Sequence, residues 1–374
     1  MNIRRAAVIG LCLILTASYQ LMQVDRYLLQ PYISTVGRLY KEPDQIEYHD
    51  NNGVYTITTD KEDFKILQLT DIHLGGSLQS AGKDYQALTA CYRLMKDTSP
   101  DLVIVTGDLV FPLGVMSFSF NNTAPMTQFA SFMRNTGIPW AFTYGNHDTE
   151  SLANATAWEV NELFKSLSFK TSGNLLYPYM QPDITGRNNQ LIEIRNEDGS
   201  LNQALFLLDS NDYINGVMND YDYIHDDQVD WYRSQVERLN EQEGELISSL
   251  LFFHMPLQEY RTAFELYEAG SSEVTYFFGE NREKMINKVC CSEYPSRLFP
   301  VAKELGSTKA MFCGHDHYNN LSVTYDGIRL TYGMSIDYLA MPGIEGDTEQ
   351  RGATLITLHR DSTYEIEQIK LTDL

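Results

Sequence analysis

Short runs of β-branched and large apolar residues recur along the chain, separated by stretches in which apolar residues fall at helical spacing. Phe64–Thr70, Leu102–Thr106, Trp140–Tyr144, Ala204–Leu208, Ser249–Phe253 and Lys309–Cys313 read as strands. Asp84–Lys96 reads as a helix, with Leu88, Cys91, Tyr92 and Met95 on one stripe. Gln228–Leu239 does the same through Val229, Tyr232, Val236 and Leu239. Asp226 and Asp227 precede it where a cap is expected, a simpler account of that acidic pair than a calcium site. Leu321–Tyr325 and Ile328–Tyr332 flank Asp326-Gly327, the pattern of a β-hairpin. Strands alternating with helices predict an α/β fold. No internal repeat and no Pro/Gly/Ser linker divides the chain, so residues 61–374 are expected to form one domain behind a polar connector at 26–60.

The N-terminus changes the picture. Arg4 and Arg5 precede an apolar run from Ala6 to Ala17, the length of a signal-peptide core and short for a membrane span, although Leu21 and Met22 extend it. Residues 1–25 are therefore expected to be a signal peptide or an N-terminal membrane anchor. Thr16 and Ser18 make a mediocre cleavage site, and both fates stay open. The arginines face the cytoplasm by the positive-inside rule, which puts the body outside, secreted or tethered.

The chain has 374 residues and 43% hydrophobic side chains, enough for a sizeable core. Its formal net charge is -22, with no Lys/Arg cluster to form a basic groove, which argues against nucleic acid as a main partner. Outside the leader, where Cys12 lies, Cys91, Cys290, Cys291 and Cys313 show no metal-binding or disulfide spacing.

Candidate chemistry gathers at strand ends. Phe64–Thr70 runs into Asp71-Ile72-His73, and Leu102–Thr106 into Gly107-Asp108. Trp140–Tyr144 runs into Gly145-Asn146-His147-Asp148, Ser249–Phe253 ends at His254, and Lys309–Cys313 runs into Gly314-His315-Asp316-His317. Five of the eight histidines occupy these tips. Ligands in α/β sheets bind beyond the carboxyl ends of strands, so the five tips can share one crevice. In extended backbone Asp71 and His73 point the same way and can grip one ion, as can His315 and His317. Asn146 and His147 point apart, so that one ligates and the other faces substrate. Glycines before Asp108, Asn146 and His315 permit close backbone approach. A single D-x-H or GD means little, but core packing does not explain all five tips in order. His49, His225 and His359 have no such context, and Cys313 reads as a core thiol.

The ordered set D-x-H, GD, GNHD, H and GHxH resembles the calcineurin-like metallophosphoesterases, over roughly Lys65 to Leu358. The resemblance implies a four-layer α/β/β/α sandwich of two mixed β-sheets flanked by helices, with two divalent transition-metal ions at the strand tips. Asp71, His73 and His317 would hold one ion, Asn146, His254 and His315 the other, and Asp108 would bridge them. His147 would contact substrate as general acid or transition-state stabiliser, with Asp148 or another carboxylate orienting it. Phe111 stands three residues after Asp108, where purple acid phosphatases carry a tyrosine ligand and serine/threonine phosphatases an aspartate. Phe111, His73 and Asp148 thus fit neither subfamily.

Hydrolysis of a small phosphorylated substrate by metal-bound hydroxide is the activity this implies, as a phosphomonoesterase. A phosphodiesterase or pyrophosphohydrolase on nucleotides or lipid head groups shares the motifs, and an inactive phosphate-binding relative is the reading from another class. Nitrogen and oxygen donors without thiolate suit Mn, Fe, Zn or Co. Selectivity falls to the surroundings, and the stretch holding Tyr260, Tyr267, Tyr276, Phe277, Phe278 and Tyr294 fits either a lid or an inward-packed helical hairpin.

Overall fold

The computed structural model describes residues 8–10, 12, 29–113, 117, 119–170, 173–216, 220–283, 288–341, 343–346 and 348–374. Most of the leader expected over residues 1–25 lies outside the described residues. Among the described residues, no helix is long and apolar enough to cross a membrane.

Fourteen strands are described: β1 (Gln45–His49), β2 (Val54–Thr59), β3 (Asp63–Leu69), β4 (Leu102–Thr106), β5 (Trp140–Thr143), β6 (Gln190–Asn196), β7 (Leu201–Leu207), β8 (Ser249–Phe252), β9 (Val274–Phe278), β10 (Thr308–Cys313), β11 (Ser322–Tyr325), β12 (Ile328–Tyr332), β13 (Gly352–His359) and β14 (Tyr364–Lys370). The larger sheet has the order β1-β2-β6-β7-β8-β10-β12-β11-β9, and the smaller β14-β13-β3-β4-β5. Both are mixed: β3, β4 and β5 run parallel while β13 lies antiparallel to β3, and β7, β8, β10 and β12 run parallel while β11 and β12 form the expected hairpin.

Alternation along the strands sets the layers. Leu102 and Ile104 of β4 face the other sheet together with Ile66, Leu205, Leu250, Phe252 and Phe312. Their neighbours Val103 and Val105 face outward and pack with Leu67 under helices α1 (Ala81–Thr98), α2 (Thr123–Thr136) and α3 (Ala157–Leu167), through Leu88, Met95, Phe129, Phe132 and Phe164. On the far side Phe206, Leu251 and Met311 pack under α4 (Asp226–Glu243), α5 (Gln258–Glu268) and α6 (Leu298–Leu305). With both faces of each sheet covered, the central strands read as continuous apolar runs. The result is the expected four-layer sandwich.

Two regions depart from expectation. The connector expected over residues 26–60 is built into the domain: Leu29, Ile33, Val36 and Tyr40 are buried beside Cys91 and Met133, and β1 and β2 form one edge of the larger sheet. The edge strand β1 needs only one apolar face, and β2 beside it buries Thr56 and Thr59 among its apolar residues, so neither reads as a continuous apolar run. Among its described residues, the stretch after His254 forms neither a lid nor a helical hairpin. It forms α5 and then β9, which extends the larger sheet at its other edge. The pair Asp226 and Asp227 occupies the first turn of α4, with His225 as the cap.

Candidate metal centre

The centre sits at one end of the sandwich, on the tips of β3, β4 and β5 from one sheet and β8 and β10 from the other. The loops after β3 and β4 stay zipped together, Asp71 N–H donating to Gly107 O at 3.2 Å and His73 N–H to Asp108 O at 3.0 Å. Within the larger sheet the loops after β8 and β10 are joined likewise, Gly314 N–H donating to His254 O at 2.9 Å. Glycine is required where these turns meet. A Cβ on Gly145 would lie 2.2 Å from Asp108 Oδ1, and one on Gly314 2.0 Å from Thr70 Oγ1.

Two groups of donor atoms result, each within 4.8 Å: Asp71, His73, Asp108 and His317, and then Asp108, His254 and His315. Asp108 belongs to both. His73 Nε2 lies 3.6 Å and His254 Nε2 3.2 Å from its Oδ2, while His317 Nε2 lies 3.6 Å from Asp71 Oδ1. Asn146 joins the second group, its Oδ1 3.2 Å from His254 Nε2 and its Nδ2 donating to the Tyr213 hydroxyl at 2.7 Å. All seven expected ligand positions therefore converge.

They converge by a different route from the one expected. Asp71 and His73 both have φ 52°, Asp108 has 51° and His315 has 76°. These are left-handed conformations, costing about 1–2 kcal/mol each for an L-residue, and such strain concentrates at functional sites. The two-residue period of a strand does not apply. His315 and His317 accordingly fall into different groups instead of gripping one ion together.

The donor set fits divalent cations. Asp108 Oδ2 is buried without a hydrogen-bond partner, a cost of about 1–3 kcal/mol or more. His73 Nε2 and His317 Nε2 face each other at 3.1 Å, a distance at which either a proton on His317 or a cation that replaces it satisfies both nitrogens. The outer nitrogens are held in the manner of metal-ligating histidines, His254 Nδ1 at 2.8 Å from Thr106 O and His317 Nδ1 at 2.9 Å from Asp337 Oδ2.

Charge in the protein alone follows these contacts. Burial works against an ionised Asp108, but His254, His147 and His73 outweigh it and hold the carboxyl well below its usual range. Burial pulls His317 and His254 down, yet Asp337 lifts the first to about 10 and Asp108 the second to about 9. Burial pushes His73 down to about 3.

His147 is not in either ligand group. Its backbone N–H donates to Asp108 Oδ1 at 2.9 Å, and its Nδ1 lies 2.7 Å from Glu150 Oε1. Of the two options expected beside the imidazole, Asp148 or another carboxylate, the structure has the second: Asp148 accepts from the backbone N–H groups of Asp108, Val110 and Gly145 at 2.9, 3.1 and 2.8 Å. It braces the turns, and burial raises its carboxyl to about 7. Glu150, Asp337, Tyr213 and Tyr221 were not identified from sequence. The ring of Tyr221 meets His315 edge-on at 4.7 Å and stacks on Tyr213 at 5.8 Å, so the aromatic wall of the site comes from the segment before α4. Tyr276 and Phe277 lie on β9, 49% and 45% exposed.

A family model described as calcineurin-like phosphoesterase matches residues 64–319. "Probable inactive purple acid phosphatase 28" of Arabidopsis thaliana is 27% identical over 304 residues, 74% of this chain and 71% of that protein. "Phosphatase DCR2" of Saccharomyces cerevisiae is 28% identical over 340 residues, 83% of this chain and 55% of its own length. A solved structure of a dimetal phosphatase from Danio rerio shares the fold, with a TM-score of 0.51 and 10% identity over 82% of this chain and 96% of that one.

Proposed function

The chain belongs to the calcineurin-like phosphoesterase family, and from that premise we propose that it is a metal-dependent phosphomonoesterase acting on a small phosphorylated substrate. The observation that carries this reading is the completeness of the centre: seven donor residues on five strand tips form two groups around Asp108. Asp71, His73, His317 and Asp108 would hold one ion, and Asn146, His254, His315 and Asp108 the other. Bound divalent ions would bring the pKa of water towards neutrality and offset phosphoryl charge.

The chain's own residues do the rest. Glu150 engages His147 Nδ1, which leaves Nε2 to give a proton to the leaving oxygen. Asp108 Oδ1 ties the backbone of that acid to the bridging carboxylate. Phe111, Tyr213 and Tyr221 wall the site with rings and limit water at the leaving group. Oxygen and nitrogen donors suit Mn, Fe, Zn or Co.

The name of the Arabidopsis relative favours a second reading, a phosphate-binding protein without activity. Against it stands a donor set with no position lost. A panel of phosphate monoesters, diesters and pyrophosphates, assayed with defined metals, tests the proposal. Monoester turnover is expected. Turnover confined to diesters or pyrophosphates moves the activity to the neighbouring class, and a metal-loaded protein that turns over nothing is the inactive relative. The arginines ahead of the apolar run Ala6–Ala17 support an extracytoplasmic body, secreted or tethered by this segment. Recovery of the protein inside the cytoplasm would contradict that.

A further inference from the structure

Phe111 occupies the position from which an aspartate would be expected in serine/threonine phosphatases. Its ring lies edge-on to His147, centroids 4.9 Å apart and planes at 77°, and edge-on to His73 at 5.2 Å. An apolar ring therefore fills that side of the imidazole. The carboxylate comes instead from the turn that carries His147 itself. Glu150 is 8% exposed and sets Oε1 2.7 Å from His147 Nδ1. The Tyr213 hydroxyl accepts from Asn146 Nδ2 at 2.7 Å and donates to the same Glu150 oxygen at 3.5 Å. One chain of contacts thus runs from a candidate metal ligand, through a tyrosine, to the carboxylate behind the acid.

We propose that Glu150 is the positioning residue for His147. A buried carboxylate needs a partner to offset its desolvation, and here the partner is the one imidazole at the site that ligates nothing. Engaging Nδ1 fixes the ring's rotation and directs Nε2 to the leaving group. Phe111 packs edge-on against the same ring and helps hold it. Tyr213 couples this alignment to Asn146, so the acid and the second ligand group hold a common frame. The inference rests on the phosphomonoesterase reading. In the reaction the water oxygen forms the new P–O bond. The bond to the leaving oxygen breaks with its electron pair on that oxygen. The Nε2 proton passes to it, and the attacking water's proton goes to solvent. Glu150 takes no proton; its contribution is geometry and charge.

The test uses the metal-loaded full chain and its Glu150→Ala and Glu150→Gln variants. Phosphate monoesters with leaving groups from alkoxide to nitrophenolate are compared by kcat/KM, with metal content measured in parallel. Glu150→Ala is expected to lose roughly 10–100-fold on alkyl esters, the size of effect seen when a partner behind a working imidazole is removed. It is expected to stay within a few-fold on nitrophenyl phosphate, whose leaving group scarcely needs a proton, and to keep its metals. Glu150→Gln preserves volume, guards against misfolding, and should show a smaller loss with the same leaving-group dependence. Equal losses on all leaving groups, loss of metal, or unchanged alkyl turnover would each overturn the assignment. If the unsubstituted protein turns over no monoester, it is the proposed function that has failed; if it does and Glu150→Ala matches it throughout, only Glu150's role has.

Discussion

The two ligand groups share Asp108 but surround it with different chemistry. The first sets Asp71 and Asp108 against His73 and His317, with a third carboxylate, Asp337, 2.9 Å behind His317. The second offers, besides Asp108, only the neutral donors Asn146, His254 and His315, and what stands behind them is neutral: the Thr106 carbonyl at His254 and the Tyr213 hydroxyl at Asn146. One more unit of negative charge near a cation contributes on the order of 4 kcal/mol at 4 Å and an effective dielectric of 20. The first group should therefore retain its ion more firmly, and the second should exchange it more readily. The second is also the group joined to His147 through Tyr213 and Glu150, so the more labile half of the centre adjoins the proton donor.

The strongest way to break this comparison is to remove what the groups share. Asp108→Asn should weaken both groups and cut turnover by about 10³-fold or more, the loss of several kcal/mol of charge stabilisation. Loss of a single ion with turnover preserved would show that Asp108 does not bridge. Next in size, Asp337→Asn should lower affinity at the first group by about 10–100-fold, whereas Tyr213→Phe should act on the second alone and by less. Metal titrations of the two variants should show opposite phases altered; the same phase altered in both would erase the distinction.

Proton linkage sharpens it further. In chelator-treated protein at pH 8, His317 and His254, raised to about 10 and about 9, carry protons that ligation must displace. Filling the centre should release protons from both groups, and affinity should fall as the pH is lowered. Calorimetry in buffers of different ionisation enthalpy reads this directly, and uptake without proton release would contradict the assigned ligands. The smallest effect belongs to Tyr276→Ala with Phe277→Ala. Both side chains lie on the edge strand β9, Phe277 stacking on Arg329 at 3.9 Å, so kcat and KM should stay within a few-fold of the parent.

That last expectation sets aside both readings the sequence left open for this stretch, a lid and an inward-packed hairpin, and the reason is physical. Metal ligation demands particular residue types at strand tips, so Asp71, His73, Asp108, Asn146, His254, His315 and His317 stand out of the sequence without any contact being known. The parallel strands that carry them are also legible, because burial on both faces leaves uninterrupted apolar runs. Orientation is another matter. The left-handed backbone at Asp71, His73, Asp108 and His315 is imposed by loops meeting across two sheets, which no local spacing encodes. Asp148 and Glu150 both follow His147 closely, and only the path of the turn decides that the second meets the imidazole. Asp337, Tyr213 and Tyr221 come from loops whose sequence marks them as nothing special. Aromatics after His254 fit a lid or an inward-packed hairpin equally because composition reports stacking capacity and not position. The strands β1 and β2 stay hidden because polar residues, exposed on the edge strand β1 and buried threonines on β2, read as a connector.

Metal stoichiometry during stepwise chelation, followed together with turnover of a nitrophenyl phosphate, tests the central claim most directly. The purified chain should hold close to two divalent transition-metal ions. One should leave at low chelator, taking most of the turnover with it, and the second only at higher chelator. Mn, Co or Zn should restore both ions and the turnover. A protein that keeps full turnover with no transition metal bound would contradict the account.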